Sequence, residues 1–251
     1  DDIEARFGPR ARAAVRRAAE DIAGAFSREL YHEMIKLLSP LGTSADRLIT
    51  QLARLSEDGA PSAELAEEAA RMKQRVTRLH AVCKGMRRYT AQPALAFAME
   101  AMRDVLEESV ALVRDQHRPA PPPIVIRADP GLCAEVCRDR LVQAVTNLID
   151  NAIESYEDAE HAAPIEVTAS GAEERVELAI ADHGCGMTEE ALADARVLFV
   201  TSKPFGTGFG LPLAVKIIES EHDGRLYLES REGHGTTARI LLPVRQARDR
   251  G

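Results

Sequence analysis

Nothing in this sequence is long and apolar enough to enter a membrane. No apolar run approaches the roughly 20 residues of a spanning helix, and no secretory leader is visible. The four cysteines, Cys83, Cys133, Cys137 and Cys185, show no paired framework. Cys133 and Cys137 stand four apart in a stretch read as helical, a spacing that suits buried packing better than a metal site with half its ligands missing. A reducing compartment is therefore expected, which places the chain in the cytoplasm. Positive charge is also scarce: 32 Lys and Arg against 40 Asp and Glu leave a net charge of −8. That balance removes a general electrostatic reason to bind nucleic acid or an anionic membrane. Tryptophan is absent and aromatic residues make up 4%. The 251 residues are enough for two domains, and the abruptly charged start reads as the beginning of a fragment whose sensory part is absent.

Residues from about Asp2 to Thr90 read as two long, aromatic-poor helices. Leu30, Met34, Leu37, Leu41, Ala45, Leu48, Leu52 and Leu55 step by three or four. Leu65, Ala69, Met72, Val76, Leu79, Cys83 and Met86 alternate steps of four and three, a heptad-like seam. Between them SEDGAPS carries the Gly and Pro punctuation of a helix–helix turn. One hairpin cannot bury such a stripe alone, so the pattern predicts a homodimer through the helical hairpin, forming a four-helix bundle. Packing of the stripe on the chain's own C-terminal domain is the alternative.

The rest of the chain is organised around Leu141 to Leu211. LVQAVTNLIDNAIES sets Asn147 and Asn151 four residues apart, on one face of an otherwise apolar helix. Helix interiors disfavour Asn, which weakens a purely structural reading of the pair. IADHGCGM follows an alternating apolar run with Asp182, Gly184 and Gly186. LFVTSKPFGTGFGL brings Lys203, Gly206, Thr207, Gly208, Phe209, Gly210 and Leu211 to the start of an amphipathic helix. The set supplies metal-binding amides, an acceptor for a base, and glycine-flanked backbone amides at a helix N-terminus for phosphates. Around it, IVIRADP, PIEVTAS, ERVELAIAD, RLYLES and TTARILLP read as strands. An α+β fold is predicted: the hairpin over 1–91, then an α/β sandwich over 92–251 with a mixed sheet and helices on one face.

These residues, in this order, resemble the N, G1, F and G2 boxes of sensor histidine kinases of two-component systems, with their GHKL-type ATP-binding domain. The likeness runs from Pro93 to Val244, and EGHGTTARILLP is similar to the family's closing glycine turn and last strand. Four motifs in register carry far more weight than a lone glycine loop. The resemblance implies ATP and Mg²⁺ as cofactors, with Asn151 as the metal ligand through a hard amide oxygen and Asn147 supporting it or touching phosphate. Asp182 then accepts from the adenine amino group, and Gly184 and Gly186 let the backbone pass close to the base. Thr237 reaches the base through water on resemblance alone. Phe199 to Gly210 is the implied lid, with Lys203 toward the γ-phosphate and Phe205 and Phe209 as packing anchors.

FSRELYHEMIKLL resembles the phosphoacceptor box, with Phe26 six residues before His32 and Glu33 directly after it. A neutral imidazole nitrogen of His32 would attack phosphorus while Glu33 holds the tautomer and takes up positive charge. A second alignment of RELYHE puts Tyr31 in the acceptor place. The family's proline five residues after the histidine is Leu37 here, and the position that orients water for dephosphorylation is Lys36, which has no acceptor and argues against phosphatase activity. Hydrolytic relatives carry Glu where this chain has Asn147, and Asn is no base at neutral pH. The expected function is thus a protein histidine kinase that autophosphorylates His32 and passes the phosphoryl group to an aspartate of a response-regulator receiver domain. The alternative is a dimeric pseudokinase scaffold that senses ATP without phosphotransfer.

Overall fold

The computed structural model describes residues 63–117, 121–156, 163–172, 174–198, 200–201 and 206–246, with scattered helical positions between Ser39 and Thr50. The chain divides into two compact units, Asp1–Pro93 and Ala94–Gly251.

In the first unit, α1 spans Ala63–Thr90. Earlier positions are helical too: Thr43 and Thr50 hydroxyls donate to the carbonyls of Ser39 and Asp46, four residues back, at 3.1 and 2.8 Å. Lys73 Nζ of α1 meets Asp46 Oδ1 at 2.7 Å, joining the two helical stretches. The expected seam is half filled. Ala69, Val76 and Cys83 are buried at seven-residue intervals, while Leu41, Leu48, Met72 and Leu79 stay exposed at 44, 48, 39 and 44%. Burial pushes the Cys83 thiol pKa up, so it stays a protonated, inert packing group. His32, Glu33, Tyr31 and Lys36 lie outside the described residues.

The second unit is built on a five-stranded mixed sheet in the order β2-β4-β5-β7-β6. The strands are β2 (Ile124–Ala128), β4 (Ile165–Ala172), β5 (Arg175–Ala181), β6 (Arg225–Ser230) and β7 (Thr236–Pro243). β2 runs parallel to β4, and the other pairs are antiparallel. Side chains alternate between sheet faces, and the register aligns the inward ones in rows. Ile180 stands opposite Ala238, which stands opposite Leu228; Leu178, Ile240 and Leu226 form the next row. Nearly all of these are buried, so one face is core. The other face carries residues such as Arg225, Tyr227, Glu229 and Arg239.

Helix α3 (Arg138–Ile153) packs against both α2 (Met102–Gln116) and α5 (Gly210–Val215), and α5 continues as a π-helical segment, Lys216–Glu221. A short α4 (Glu189–Asp194) is capped by Thr188, whose Oγ1 accepts from Ala191 N at 3.2 Å. In α3 the buried Leu141, Val142, Val145, Leu148, Ile149 and Ala152 recur at helical spacing, which is why RDRLVQAVTNLIDNAI folds as an amphipathic helix. One expectation fails here. Cys133 lies in a strand, β3 (Cys133–Val136), paired antiparallel with β1 (Ala98–Ala101), and Cys137 is the N-cap residue of α3. The stretch from Cys133 alternates half-buried and buried positions, a period-two pattern that outweighs the i, i+4 spacing of the two thiols.

Two buried polar contacts fix the π-helical segment against α3. Arg140 forks onto Glu221, Nε to Oε2 at 2.8 Å and Nη2 to Oε1 at 2.7 Å, with both side chains at most 10% exposed. His222 is wholly buried: its Nδ1–H donates to Ile217 O at 2.8 Å and its Nε2 accepts from Cys137 N at 3.0 Å. That arrangement needs the neutral ring, and burial holds the His222 pKa below its usual value.

Candidate nucleotide site

A cavity of about 850 Å³ opens between α3, the start of α5, the helix-facing side of β5 and β7, and α4. Asn147, Asn151, Asp182, Gly186, Gly206, Thr207, Gly208, Gly210 and Leu211 all line it. Residues separated by more than sixty positions thus share one chamber.

α3 brings its two amides to the wall as their i, i+4 spacing requires. Asn147 Nδ2 donates to Gly210 O at 3.3 Å, tying α3 to the first turn of α5. Gly210 is close enough to Asn151 that an added Cβ would lie 3.8 Å from its Oδ1. Pro212 sits in the first turn of α5, where its missing N–H removes a donor that has no intrahelical partner anyway. Gly208 adopts φ +68°, a left-handed conformation that favours glycine. Phe209 is buried and anchors the end of the loop, as expected. Lys203, Phe199 and Phe205 lie outside the described residues.

Asp182 directly follows β5 and is 6% exposed. Its Oδ1 accepts three hydrogen bonds: from Gly184 N at 2.9 Å, Ser155 Oγ at 3.0 Å and Thr236 N at 3.2 Å. Its own N–H donates to Thr236 O at 2.9 Å. No hydrogen bond to Oδ2 exists among the described residues. Their one side-chain polar atom sealed from solvent without a partner is Thr146 Oγ1, so Asp182 Oδ2 is open to the cavity it lines.

The loop after Asp182 is held closely to the end of α3. Cys185 N donates to Ser155 O at 2.9 Å, and His183 N donates to the Tyr156 hydroxyl at 2.8 Å. Burial raises the Tyr156 pKa, partly offset by the His183 N–H, and the Asp182 charge raises it further. These contacts explain the glycines. A Cβ on Gly184 would fall 1.9 Å from Ser155 Oγ. A Cβ on Gly186, at φ +64°, would fall 2.1 Å from Arg231 O, and one on Gly235, at φ +82°, 2.1 Å from Asp182 O.

Thr237 does not line this cavity. It pairs with Ala181 and Glu229 on the outer side of the sheet, while Thr236 and Ala238 face inward. The threonine beside Asp182 is Thr236, whose hydroxyl is 2.8 Å from Ser230 Oγ. Ser155 and Tyr156 were not singled out from the sequence. They lie just past the end of α3, and no local pattern marks them.

The geometry fits a purine nucleotide with a divalent cation. A buried carboxylate with one open oxygen suits an exocyclic amine, an amide oxygen from α3 suits a hard cation, and the glycine loop leaves backbone exposed where phosphates would run. Among the described residues no group of three or more His, Cys, Asp or Glu side chains is placed to hold a metal ion.

Comparison with known proteins agrees with this arrangement. Residues 137–246 match the family described as histidine kinase-, DNA gyrase B-, and HSP90-like ATPase. Sporulation kinase E of Bacillus subtilis is 42% identical over 109 residues, 43% of this chain and 14% of that protein. The C4-dicarboxylate transport sensor protein DctB of Rhizobium meliloti is 30% identical over 222 residues, 88% of this chain and 34% of that protein. The matches therefore span 14% and 34% of the length of these two relatives. The catalytic domain of the histidine kinase ThkA superposes with a TM-score of 0.54 at 28% identity, covering 60% of this chain and 97% of that one. ThkA solved in complex with the response regulator protein TrrA shares the fold over 97% of this chain and 65% of its own, with a TM-score of 0.61 at 22% identity. Residues 137–246 thus match the histidine kinase-, DNA gyrase B- and HSP90-like ATPase family, and the chain is similar to sensor proteins and histidine kinases beyond that stretch.

Proposed function

We propose that this chain is the kinase portion of a two-component sensor: it binds Mg²⁺-ATP, phosphorylates its own His32, and donates that phosphoryl group to an aspartate of a response-regulator receiver domain. The observation that carries the reading is the gathering of Asn147, Asn151, Asp182 and the Gly206–Gly210 loop around one cavity. In this reading Asp182 takes the adenine amino group, Asn151 offers its oxygen to Mg²⁺, and the backbone of Gly206 to Leu211 lies against the phosphates. The bound Mg²⁺ neutralises charge on the phosphate oxygens. At position 147 an amide stands where a hydrolytic site needs a base, so water is not activated there. Transfer to a better nucleophile, the His32 imidazole with Glu33 beside it, is favoured over hydrolysis.

Residues 1–91 are read as the dimerisation and phosphoacceptor hairpin and 92–251 as the catalytic domain. Support for a dimer comes from the first unit alone. Leu41 and Leu48 are seven residues apart, as are Met72 and Leu79, and all four are exposed in the single chain. A second hairpin laid on those positions completes a four-helix core. ThkA was solved with a response regulator, which supports the same class of partner here.

The test is incubation with Mg²⁺ and ATP labelled at the γ-phosphate, comparing the protein with His32→Gln. Acid-labile, base-stable label that vanishes in the variant is expected. Label that persists in His32→Gln moves the acceptor to another residue, with Tyr31 the first to examine. Absence of label, despite nucleotide binding that Asn151→Ala abolishes, refutes the kinase reading.

A further inference from the structure

Asp182 is unevenly used, and the unevenness singles out a neighbour. Three donors converge on Oδ1, two of them backbone N–H groups of Gly184 and Thr236. Those two are set by the chain path. The third, Ser155 Oγ at 3.0 Å, comes from a different element, the residue just past α3. The same hydroxyl is 2.7 Å from Ala152 O. A hydroxyl has one proton, so Ser155 can donate to the helix carbonyl or to the carboxylate, but not to both fully. Bonds to a charged acceptor are the stronger kind, and Asp182 competes well for that proton.

We infer that Ser155 is a positioning residue for purine recognition. Its hydroxyl holds the Asp182 carboxylate in the rotation that turns Oδ2, the oxygen without a hydrogen-bond partner among the described residues, toward the cavity. The inference rests on the reading of the cavity as an adenine nucleotide site and adds to it how the base-reading atom is aimed. Three features of the surroundings agree. Ser155 itself lines the cavity. Its backbone carbonyl accepts Cys185 N at 2.9 Å, so the residue is fixed to the loop that follows Asp182. Gly184 leaves no room for a side chain beside it, an added Cβ falling 2.6 Å from both Ser155 Cβ and Ser155 O. The close approach of the two residues holds the hydroxyl beside the Asp182 loop.

The chemistry predicts a base-dependent effect. Donation from Ser155 draws Oδ1 toward α3 and leaves Oδ2 as the acceptor for a ligand N–H. Without the hydroxyl, the carboxylate keeps its two backbone donors but loses the lateral one and can rotate about its terminal torsion, which is soft. Affinity should fall only for ligands that have an amine to offer at that oxygen.

The experiment measures equilibrium binding of Mg²⁺-ATP and of Mg²⁺-purine riboside triphosphate, which lacks the 6-amino group, to the full chain. Wild type, Ser155→Ala, Ser155→Cys and Ser155→Thr are compared. Wild type should prefer ATP. Ser155→Ala should weaken ATP roughly tenfold, the order of one charge-assisted hydrogen bond, and leave the amine-free analogue within about twofold. Ser155→Cys, close in size but a weak donor, should behave like Ser155→Ala, and it serves if the alanine variant does not fold. Ser155→Thr, which retains the hydroxyl, should restore most of the preference. Equal weakening of both nucleotides overturns the inference and makes Ser155 merely structural, as does an unchanged preference. A wild type that does not distinguish the two nucleotides instead overturns the placement of adenine at Asp182, a separate failure.

Discussion

The Arg140–Glu221 pair joins α3, which carries both site asparagines, to the π-helical segment that follows the glycine loop. Both side chains are at most 10% exposed, and the two bonds are 2.7 and 2.8 Å long. Replacing Glu221 by Gln leaves the guanidinium buried without a counter-charge. Removal of one member of such a pair costs about 3–5 kcal/mol, because the remaining charge keeps its desolvation penalty. With a urea dependence of about 2 kcal/mol per molar for a small domain, the lower end of that range shifts the unfolding midpoint by about 1.5 M. The Arg239–Glu229 pair supplies an internal contrast. It spans 3.4 Å between side chains 45 and 62% exposed, so Glu229→Gln should change stability by less than about 1 kcal/mol. Replacing both buried partners, Arg140→Met with Glu221→Leu, should recover most of the loss, since an apolar pair carries no such penalty. Urea unfolding followed by circular dichroism reads all four proteins. A Glu221→Gln midpoint indistinguishable from that of Glu229→Gln refutes the reasoning, and so does a double variant no better than the single one.

Two further outcomes follow from the same unit. His222 is buried neutral and its pKa is lowered in the folded state, so below about pH 6.5 the unfolded chain binds a proton that the folded chain does not. Its contribution to stability is complete above that pH and is lost as pH falls toward the folded pKa, at a slope approaching about 1.4 kcal/mol per pH unit. Urea midpoints of wild type and His222→Gln between pH 7.5 and 5.5 check this; equal pH slopes would remove His222 as the cause. Gly235→Ala combines a φ of +82° with a Cβ placed 2.1 Å from Asp182 O, and should both destabilise the domain and abolish nucleotide binding. Gly233→Ala, at φ +73° with nothing within 4 Å, should cost only about 1–2 kcal/mol and leave nucleotide titrations unchanged.

The parts of the fold governed by local periodicity were legible beforehand. The strand pairs around β4–β5 and β6–β7, the strand β2, the amphipathic α3 and the gathering of its amides follow from alternation, helical spacing and glycine placement. Two misses have physical causes. Cys133, expected on a helix, lies in β3, where Ala134 and Val136 alternate inward and the strand pairs antiparallel with β1. Thr237 follows from resemblance alone, whereas the burial of Ala238, Ile240 and Leu242 marks the even positions of β7, Thr236 among them, as the inward ones. Ser155 and Tyr156 belong to a different class. Their contacts form only because the end of α3 approaches the loop after β5, and no local pattern encodes that approach.

The committed oxygen of Asp182 has a consequence for how this site could change its ligand. Asparagine is nearly the same shape, but it has one acceptor face and one donor face. At position 182 the N–H groups of Gly184 and Thr236 decide which way it turns: the amide oxygen must face them, so the amide nitrogen faces the cavity. The exchange therefore reverses the polarity offered to the base. If Asp182 reads the base as proposed, the variant would donate to a carbonyl instead of accepting from an amine, and its preference would pass from 6-amino to 6-oxo purines.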